Sequence, residues 1–269
     1  MQATDFEYDG TVLSDYGYVI CSFDGNGGVK TESNGAKIKF NMVSHHNGNR
    51  FSLSSSKYEE CVAIELDICK DPDKSDNLLI TLEEIRKMMK WLNRRGFHKL
   101  RFFDNCNIEE YGCHYYASFN VDRITVDGEV YGLRLTANTN SPFAYGNDYC
   151  VREHITAGDY IVARNISDEI GRISPDMVIV CHENGNLQLR NSRTGLTTMI
   201  KNCKSGEEIH IDGTMQIITS SMNSHDIAND FNYIFLSLEN SRADDQNDIY
   251  VSLECDIEIR YSPIIKFVP

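Results

Sequence analysis

The clearest hydrophobic pattern in the chain runs from Asp248 to Tyr261, where apolar and polar residues alternate. The apolar residues occupy every second position and are Ile249, Val251, Leu253, Cys255, Ile257, Ile259 and Tyr261. The residues between them are mostly charged or polar, with Tyr250 as the exception. Because successive side chains of a strand point to opposite faces, this pattern predicts one strand with a buried face and a solvated face. Such a strand is typical of an antiparallel sheet.

Residue pairs that favour tight turns recur along the chain. Asp-Gly pairs lie at 9–10, 24–25, 127–128 and 212–213, and Asn-Gly pairs at 26–27, 34–35, 47–48 and 184–185. These pairs readily adopt the positive φ angles of hairpin turns, and the pair at 127–128 separates two alternating runs. Further strands are predicted at 18–23, 62–68, 99–103, 115–119, 160–163, 177–181, 187–190, 208–211, 215–219 and 233–238.

A single helix is predicted over residues 81–95. Thr81 is the expected N-cap, because Glu84 follows at the spacing of a capping box. Gly96 is the expected C-terminal cap, and we expect Trp91 to pack the helix against a sheet. The apolar residues at helical spacing, which predict the buried stripe, are Leu82, Ile85, Met88, Met89 and Leu92.

A shift in composition divides the chain. Asn, Ser, Pro and Gly cluster between residues 138 and 148, which predicts a linker between two β domains. We therefore expect a mainly β chain with two β-sandwich-like domains. The first, residues 1–145, carries the single helix, and the second spans residues 149–269.

Composition restricts the classes of partner. The 269 residues are 41% hydrophobic and 25% charged, which suits globular domains with packed cores. The net charge is −14. Nucleic-acid binding depends on Lys and Arg side chains that displace counterions, so this charge argues against a stable nucleic-acid partner. It argues equally against an anionic membrane surface.

The N-terminal residues and the cysteines bear on the cellular compartment. Asp5, Glu7 and Asp9 lie where a signal peptide would need a basic and then an apolar segment. No apolar run approaches the roughly 20 residues of a membrane-spanning helix. The nine cysteines are irregularly spaced, which predicts free thiols and folding in a reducing cytoplasm.

Three groups of segments, taken in order, match one family. The first group is residues 6–10 and 13–17. The second is the helix, the strand from residue 99, Tyr115-Tyr116-Ala117 and residues 141–145. The third is residues 206–213, residues 230–235 and the closing Tyr261-Ser262-Pro263. In this order and spacing the chain resembles the distal tail proteins of long-tailed (siphovirus-type) bacteriophages.

The resemblance implies a ring, commonly six-fold, at the end of the tail tube. The N-terminal domains would form the ring, and the C-terminal domain would be a galectin-like sandwich that projects outward. The implied partners are further copies of the chain, the tail tube protein, and tail-tip, tail-associated lysin or fibre proteins. The tape measure protein is a further candidate. The implied location is the virion tail tip, after synthesis and assembly in the bacterial host cytoplasm.

Two acidic segments are candidate cation sites. The segment 71–76 resembles a calcium loop, but the required Gly and Glu positions are Asp76 and Leu82, so a solvated turn is predicted. The run 244–248 is predicted to be a polar hairpin tip, with a weak cation site as the alternative.

Potential zinc ligands lack a recognisable spacing. Cys106, Cys113 and His114 form one group, and Cys150 and His154 another, without the paired spacing of zinc sites. We expect these residues to be structural. His45-His46 is expected in a loop, where adjacent histidines can bind adventitious nickel or zinc. The sequence therefore predicts no metal site and no cofactor.

Familiar catalytic motifs are likewise absent from the sequence. The chain contains no Gly-x-Ser-x-Gly segment and no phosphate-binding loop motif, and residues 25–28 are expected to be a flexible hairpin tip. Tyr160, Phe231 and Tyr233 are expected in the core or an interface rather than on a sugar-binding platform. No catalytic residue is predicted.

The sequence thus favours a non-enzymatic structural component of a phage or prophage-derived tail tip. The alternative is a carbohydrate-binding module that recognises the host cell envelope, and a glycan hydrolase is a weaker third hypothesis. An envelope-binding module should expose an aromatic platform on its C-terminal domain. A ring protein should instead present a large interface on its N-terminal domain.

Overall fold

The computed structural model describes residues 3–23, 37–46, 48, 50–104 and 112–266, and the chain divides into two compact units. The first unit contains residues 1–146 and 265–269, and the second contains residues 147–264. Each unit has its own hydrophobic core. The division, between residues 146 and 147, falls near the end of the linker predicted at 138–148. The first two residues of that predicted linker, 138 and 139, belong to a strand. The predicted mainly β fold class is confirmed.

The first unit is built on one long sheet. Its strands are β1 (Ala3–Tyr8), β2 (Thr11–Val12), β3 (Tyr18–Cys21), β4 (Ile38–Ser44), β5 (Phe51–Tyr58), β6 (Ala63–Lys70), β7 (His98–Asp104), β8 (Cys113–Val126), β9 (Glu129–Thr139) and β10 (Ala144–Gly146). The sheet order is β2-β1-β7-β8-β9-β6-β3, and β10 pairs with β8. Strands β4 and β5 form a separate two-stranded sheet. A 3-10 helix, Leu13–Tyr16, precedes β3.

Two predicted Asp-Gly hairpins are present in this unit. Asp127 and Gly128 have φ angles of 51° and 85° and connect β8 to β9. Asp9 and Gly10, with φ angles of 53° and 78°, connect β1 to β2 in the same way. The pairs at 24–25, 26–27 and 34–35, residue 47, and the segment 25–28 lie outside the described residues.

The predicted helix is α1 (Leu82–Leu92), shorter than the predicted 81–95. The capping box is confirmed, because the Glu84 amide donates to the Thr81 hydroxyl and a Glu84 carboxylate oxygen accepts from the Thr81 amide. The cap prediction for Gly96 was wrong, since the helix ends at Asn93, whose amide donates to the Met89 carbonyl.

The buried face of α1 is centred on Ile85, Met88, Trp91 and Leu92. Leu82 was predicted to be buried but is 72% exposed. At about 100° per residue, burial of Trp91 rotates the packed face away from Leu82. Trp91 stacks on Phe6 at a centroid distance of 5.8 Å, and its indole N–H donates to the Tyr8 carbonyl at 3.2 Å. The predicted packing of Trp91 against a sheet is confirmed.

The second unit is a β-sandwich. Its strands are β11 (Tyr149–Ile155), β12 (Tyr160–Arg164), β13 (Arg172–Ile173), β14 (Asp176–Cys181), β15 (Gly185–Asn191), β16 (Thr197–Cys203), β17 (Glu208–Asp212), β18 (Ile217–Ser220), β19 (Leu238–Glu239), β20 (Gln246–Val251) and β21 (Cys255–Tyr261). The last strand of the chain, β22 (Ile264–Ile265), pairs with β10 in the sheet of the first unit. One sheet has the order β11-β21-β14-β17-β18 and the other β12-β20-β15-β16. Both contribute to a single core, and a short helix that was not predicted, α2 (Ile227–Asp230), follows β18.

The alternating segment 248–261 is two strands and not the single strand predicted. The chain leaves β20 in one sheet, turns at residues 252–254 and continues as β21 in the other sheet. All seven predicted apolar positions are buried, including Leu253 in the turn between the strands. The alternation persists because both sheets line the same core, so the period of two does not reveal the change of sheet.

The strand predicted at 233–238 was also wrong. Tyr233 has a φ angle of 57°, which breaks the extended conformation, and only Leu238–Glu239 pairs as a strand. Buried asparagine side chains satisfy the carbonyls of this segment instead of a neighbouring strand. Asn191 donates to the Ser237 carbonyl at 2.7 Å, and Asn165 donates to the Leu238 carbonyl at 3.1 Å.

Candidate assembly surface

The hairpin of β4 and β5 is the most exposed regular structure in the first unit. Among the described strands, these two pair only with each other. Every residue of β4 is exposed, and in β5 only the last residue, Tyr58, is half-buried. An isolated two-stranded hairpin is marginally stable in water, so this arrangement implies a partner that covers it.

The register of the hairpin gathers its large apolar side chains on one face. Lys39 pairs with Lys57 and Asn41 with Ser55, and Met42 then pairs with Leu53. Ser54 is therefore an extra residue, a β-bulge, which shifts the alternation of β5 by one position. As a result, the apolar face carries Ile38, Phe40, Met42, Phe51 and Leu53, with Tyr58 at its base. We call these six residues the hairpin apolar face.

The bulge decides the character of this surface. Without it, Ser54 would lie opposite Met42 and Ser52 opposite Ser44, and Leu53 and Phe51 would point to the opposite side. Apart from Tyr58, the side chains of the hairpin apolar face are between 47% and 63% exposed. A contiguous apolar patch of this kind is characteristic of a protein–protein interface.

The opposite face of the hairpin is polar apart from Val43. Asn41 donates to the Ser55 hydroxyl at 2.9 Å, and His45 lies 2.6 Å from the Ser52 hydroxyl. Lys39 and Lys57 are directly opposite each other. Two like charges in this position are unfavourable in a free hairpin and favour an acidic partner surface.

The base of the hairpin is joined to the rest of the first unit. The Tyr58 ring meets the Phe143 ring edge to face, with centroids 4.5 Å apart. The Glu59 amide donates to the Lys37 carbonyl at 2.8 Å, which closes the base. These contacts hold the base of the hairpin, while its apolar face stays open to solvent.

The zinc-ligand candidates of the sequence do not converge. His114 is buried, and its ring lies 5.3 Å from Tyr116 and 5.8 Å from Tyr145. Cys113 is the adjacent residue of the same strand, so it points to the other face of the sheet. Cys106 lies outside the described residues. Cys150 and His154 are both exposed on β11.

The acidic segments have internal partners. In the 71–76 turn, an Asp71 carboxylate oxygen accepts from the Asp73 amide at 3.0 Å, and Lys74 lies 3.6 Å from that carboxylate. The run 244–248 is not a hairpin tip, because residues 246–248 belong to β20. Asn247 there is fully buried, and Asp244 pairs with Arg193 at 2.7 Å.

The aromatic candidates divide between core and surface. Phe231 is buried in the core of the second unit, as expected, whereas Tyr233 is exposed. Tyr160 is exposed beside Tyr250, its partner across β12 and β20, with ring centroids 5.5 Å apart and planes at 43°. This pair was not identified from the sequence.

A buried ionic cluster in the second unit was not predicted from the sequence either. Glu207 is fully buried and accepts hydrogen bonds from Ser220 at 2.5 Å and from the Lys204 amide at 2.9 Å. His225 Nδ1 lies 2.5 Å from the same carboxylate, and its Nε2 lies 3.3 Å from Asp230. Burial alone would raise the pKa of Glu207, but these hydrogen bonds lower it.

The pKa of His225 is shifted in the opposite direction. Burial lowers it, but the hydrogen bond and the charge of Glu207 outweigh burial and raise it. The pair therefore favours a protonated imidazole against an ionised carboxylate. His225 lies just before Asp226, the residue at the N-terminus of α2. The ion pair with Glu207 therefore holds the start of α2 against the sandwich.

The described residues include eight cysteines, and all eight carry free thiols. Cys255 lies in the core, as its place in the alternation predicted. Among the described residues, no helix is long and apolar enough to cross a membrane.

Comparison with known proteins gives two matching family models. Residues 1–141 match the model described as a phage tail protein N-terminal domain, and residues 143–261 match the model described as a phage tail C-terminal domain. A search of curated proteins found no match.

Two solved structures resemble the chain along nearly its whole length. The Dit protein (gp 19.1) of phage SPP1 is 12% identical to this chain, with a TM-score of 0.67. The alignment covers 96% of this chain and 98% of the SPP1 chain. A chain of the phage p2 baseplate, in its activated conformation with Sr, is 11% identical. The alignment covers 98% of this chain and 99% of the baseplate chain, with a TM-score of 0.50. At these identities the likeness is one of fold.

Proposed function

Since the chain belongs to a family of phage tail proteins and is a component of the phage tail, we propose that it is a distal tail protein. In this role it is a non-enzymatic ring subunit that joins the tail tube to the tail-tip or baseplate proteins. The fold supports the assignment, because both units together align with the SPP1 Dit protein. That SPP1 protein is described as a paradigm of hub adsorption apparatus in phages that infect Gram-positive hosts.

The hairpin apolar face is the observation that carries the proposed ring. It exposes large side chains that a free monomer would leave in water, and burying each half-exposed side chain contributes about 1 kcal/mol. We propose that the face packs against a neighbouring copy of the chain. A closed ring uses such a heterologous contact once per subunit, so no copy of the patch stays exposed.

Charge favours a second copy as the occupant. The chain carries a net charge of −14, whereas the polar side of the hairpin places Lys39 opposite Lys57. A neighbouring copy therefore offers acidic surface to these two lysines while its apolar groups cover the other side. We propose six copies in the ring, as in the family that the sequence resembles.

The remaining partners follow from this role. We propose that one side of the ring contacts the tail tube protein and the other contacts tail-tip, tail-associated lysin or fibre proteins, with the tape measure protein as a further partner. An acidic ring would repel passing DNA instead of retaining it, which suits a channel for the genome.

The envelope-binding alternative receives less support. Tyr160 and Tyr250 form an exposed aromatic pair in the second unit, but their ring planes are tilted by 43° and do not form a flat platform. Neither matching family description refers to carbohydrate. We therefore do not propose sugar binding.

Native mass spectrometry of the full chain, with electron microscopy of the same sample, tests the proposal. We expect one discrete oligomer of six copies that appears as a closed ring with a central opening. A chain that stays monomeric across a wide concentration series would contradict the proposal. Open-ended growth with concentration would contradict ring closure.

A further inference from the structure

Three neighbouring strands of the second unit bring two histidines and an aspartate together. Strand β21 lies between β11 and β14, and His154 on β11 is directly opposite Asp256 on β21. His182 follows Cys181, the last residue of β14, whose partner on β21 is Cys255. The three side chains therefore meet at one end of these strands.

The distances are those of a preformed set of ligands. His154 Nδ1 lies 2.8 Å from one carboxylate oxygen of Asp256, and His182 Nε2 lies 2.9 Å from the other. The imidazole centroids are 5.3 Å apart. One potential ligand atom from each residue lies within 4.8 Å of the other two. All three side chains are partly open to solvent, so a cation can reach them.

We propose that His154, His182 and Asp256 form a binding site for a zinc-like divalent transition cation. Two imidazole nitrogens and one carboxylate oxygen are typical ligands of Zn²⁺. Three protein ligands leave a fourth tetrahedral position, which water or a group from another molecule can occupy. Calcium does not fit, because it takes six to eight oxygen ligands.

Glu254 supplies the orienting contact that metal-binding histidines commonly have. Its carboxylate lies 3.3 Å from His154 Nε2, the nitrogen that does not face Asp256. A proton on Nε2, donated to Glu254, leaves Nδ1 unprotonated and directed at the cation. Glu254 and Asp256 together offset the two charges of the metal ion. Glu254 is a positioning residue in this arrangement.

The site is not visible in the sequence, because its ligands come from different strands. The sequence places His154 beside Cys150, yet four strand residues span about 13 Å, so these two side chains do not share a cation. The actual neighbours of His154 are 28 and 102 positions away, and only pairing across β21 brings them together.

Zinc titration of the full, untagged chain by calorimetry, together with Co²⁺ absorption spectra, tests the proposal. We expect one Zn²⁺ per chain and the Co²⁺ bands of a site that contains nitrogen ligands. His182→Asn and Asp256→Asn should each weaken binding by at least tenfold. Glu254→Gln should weaken it by a smaller factor, as expected for a residue that acts through His154.

Two matched controls exclude adventitious binding. His210→Asn removes another exposed histidine of the same sheet, one that lies 2.5 Å from Glu208, and should leave Zn²⁺ binding unchanged. The double variant His45→Asn/His46→Asn removes the adjacent histidines of the first unit and should also leave it unchanged. Because the proposed ligands are exposed, circular dichroism should show every variant folded.

Two results would overturn the site. The first is the absence of Zn²⁺ binding by the wild-type chain at micromolar concentrations. The second is binding that survives His182→Asn and Asp256→Asn but is lost in the His45→Asn/His46→Asn variant.

Discussion

Lys70 and Glu84 join the helix of the first unit to its sheet, with the ammonium group of Lys70 2.8 Å from a carboxylate oxygen of Glu84. Lys70 also donates to the Leu79 carbonyl at 2.7 Å. The other carboxylate oxygen of Glu84 accepts from the Thr81 amide and caps the helix. Burial would raise the pKa of Glu84, but Lys70 and Thr81 lower it overall. The Glu84 carboxylate thus both caps the N-terminus of α1 and holds the helix against Lys70 of the sheet.

The first prediction separates the packing of α1 from its capping. Ile85→Ala should destabilise the chain by about 2–4 kcal/mol because it leaves a cavity in the core. Thr81→Ala should cost about 1 kcal/mol because it removes the cap. Leu82→Ala is the control and should change stability by less than about 0.5 kcal/mol, since Leu82 is 72% exposed. Denaturant unfolding measures all three, and a Leu82 effect as large as that of Ile85 would reject the observed helix face.

The second prediction concerns the buried amides that replace a strand in the second unit. Asn247 is fully buried, donates to the Glu239 and Asp245 carbonyls, and accepts from Asn191 and the Glu239 amide. Asn247→Ala leaves several of these groups unsatisfied and should cost about 2–4 kcal/mol. The exposed neighbour provides the control: Gln246→Ala should cost less than about 0.5 kcal/mol in the same unfolding experiment. Equal costs would contradict the amide network.

The third prediction is a pH dependence set by Glu207 and His225. The raised pKa of His225 adds stability that is complete below the ordinary value of 6.5 and is lost as pH rises through the folded value. The lowered pKa of Glu207 adds stability that is complete above its ordinary value of 4.5 and is lost as pH falls through the folded value. Both contributions are therefore complete between pH 4.5 and 6.5.

Thermal unfolding across pH checks this window. His225→Gln should destabilise the chain most near about pH 6 and progressively less as the pH rises through the raised pKa of His225, because the wild-type histidine then loses its proton. His210→Gln is the matched control, because His210 also pairs with a glutamate but both side chains are about half exposed. Its effect on stability should be small, because exposed ion pairs contribute little. A His225 effect that does not vary with pH would contradict the ion pair.

The sequence predicted features that depend on local order. The Asp127-Gly128 hairpin, the Thr81–Glu84 capping box and the buried alternation from Ile249 to Tyr261 all depend on residues that are close along the chain. Local patterns do not show which sheet a strand joins. For that reason, the turn that carries Leu253 from one sheet to the other was predicted as continuous strand.

The candidate sites were missed for a related reason. The hairpin apolar face depends on the bulge at Ser54, without which Phe51 and Leu53 of β5 would lie on the other face. The histidines at 154 and 182 meet only because β11 and β14 both flank β21. Contacts of this kind are set by strand pairing over long sequence separations, and spacing along the chain does not report them.

The central claim is that the hairpin apolar face drives assembly of the ring. Met42 and Leu53 are paired on this face, whereas Val43 is exposed to a similar degree on the opposite face, beside Ser52. Met42→Ser/Leu53→Ser removes two apolar contacts, worth together about 2 kcal/mol for each interface. Val43→Ser is the matched control, because it removes an exposed apolar side chain without touching that face.

Sedimentation velocity of the full chain across a concentration series, for wild type and both variants, tests this claim most directly. The account predicts that wild type and Val43→Ser form the same discrete oligomer. Met42→Ser/Leu53→Ser should stay folded and need at least a tenfold higher concentration to assemble, since about 1.4 kcal/mol corresponds to a factor of ten. Assembly of the double variant at wild-type concentrations, or loss of assembly in Val43→Ser alone, would contradict it.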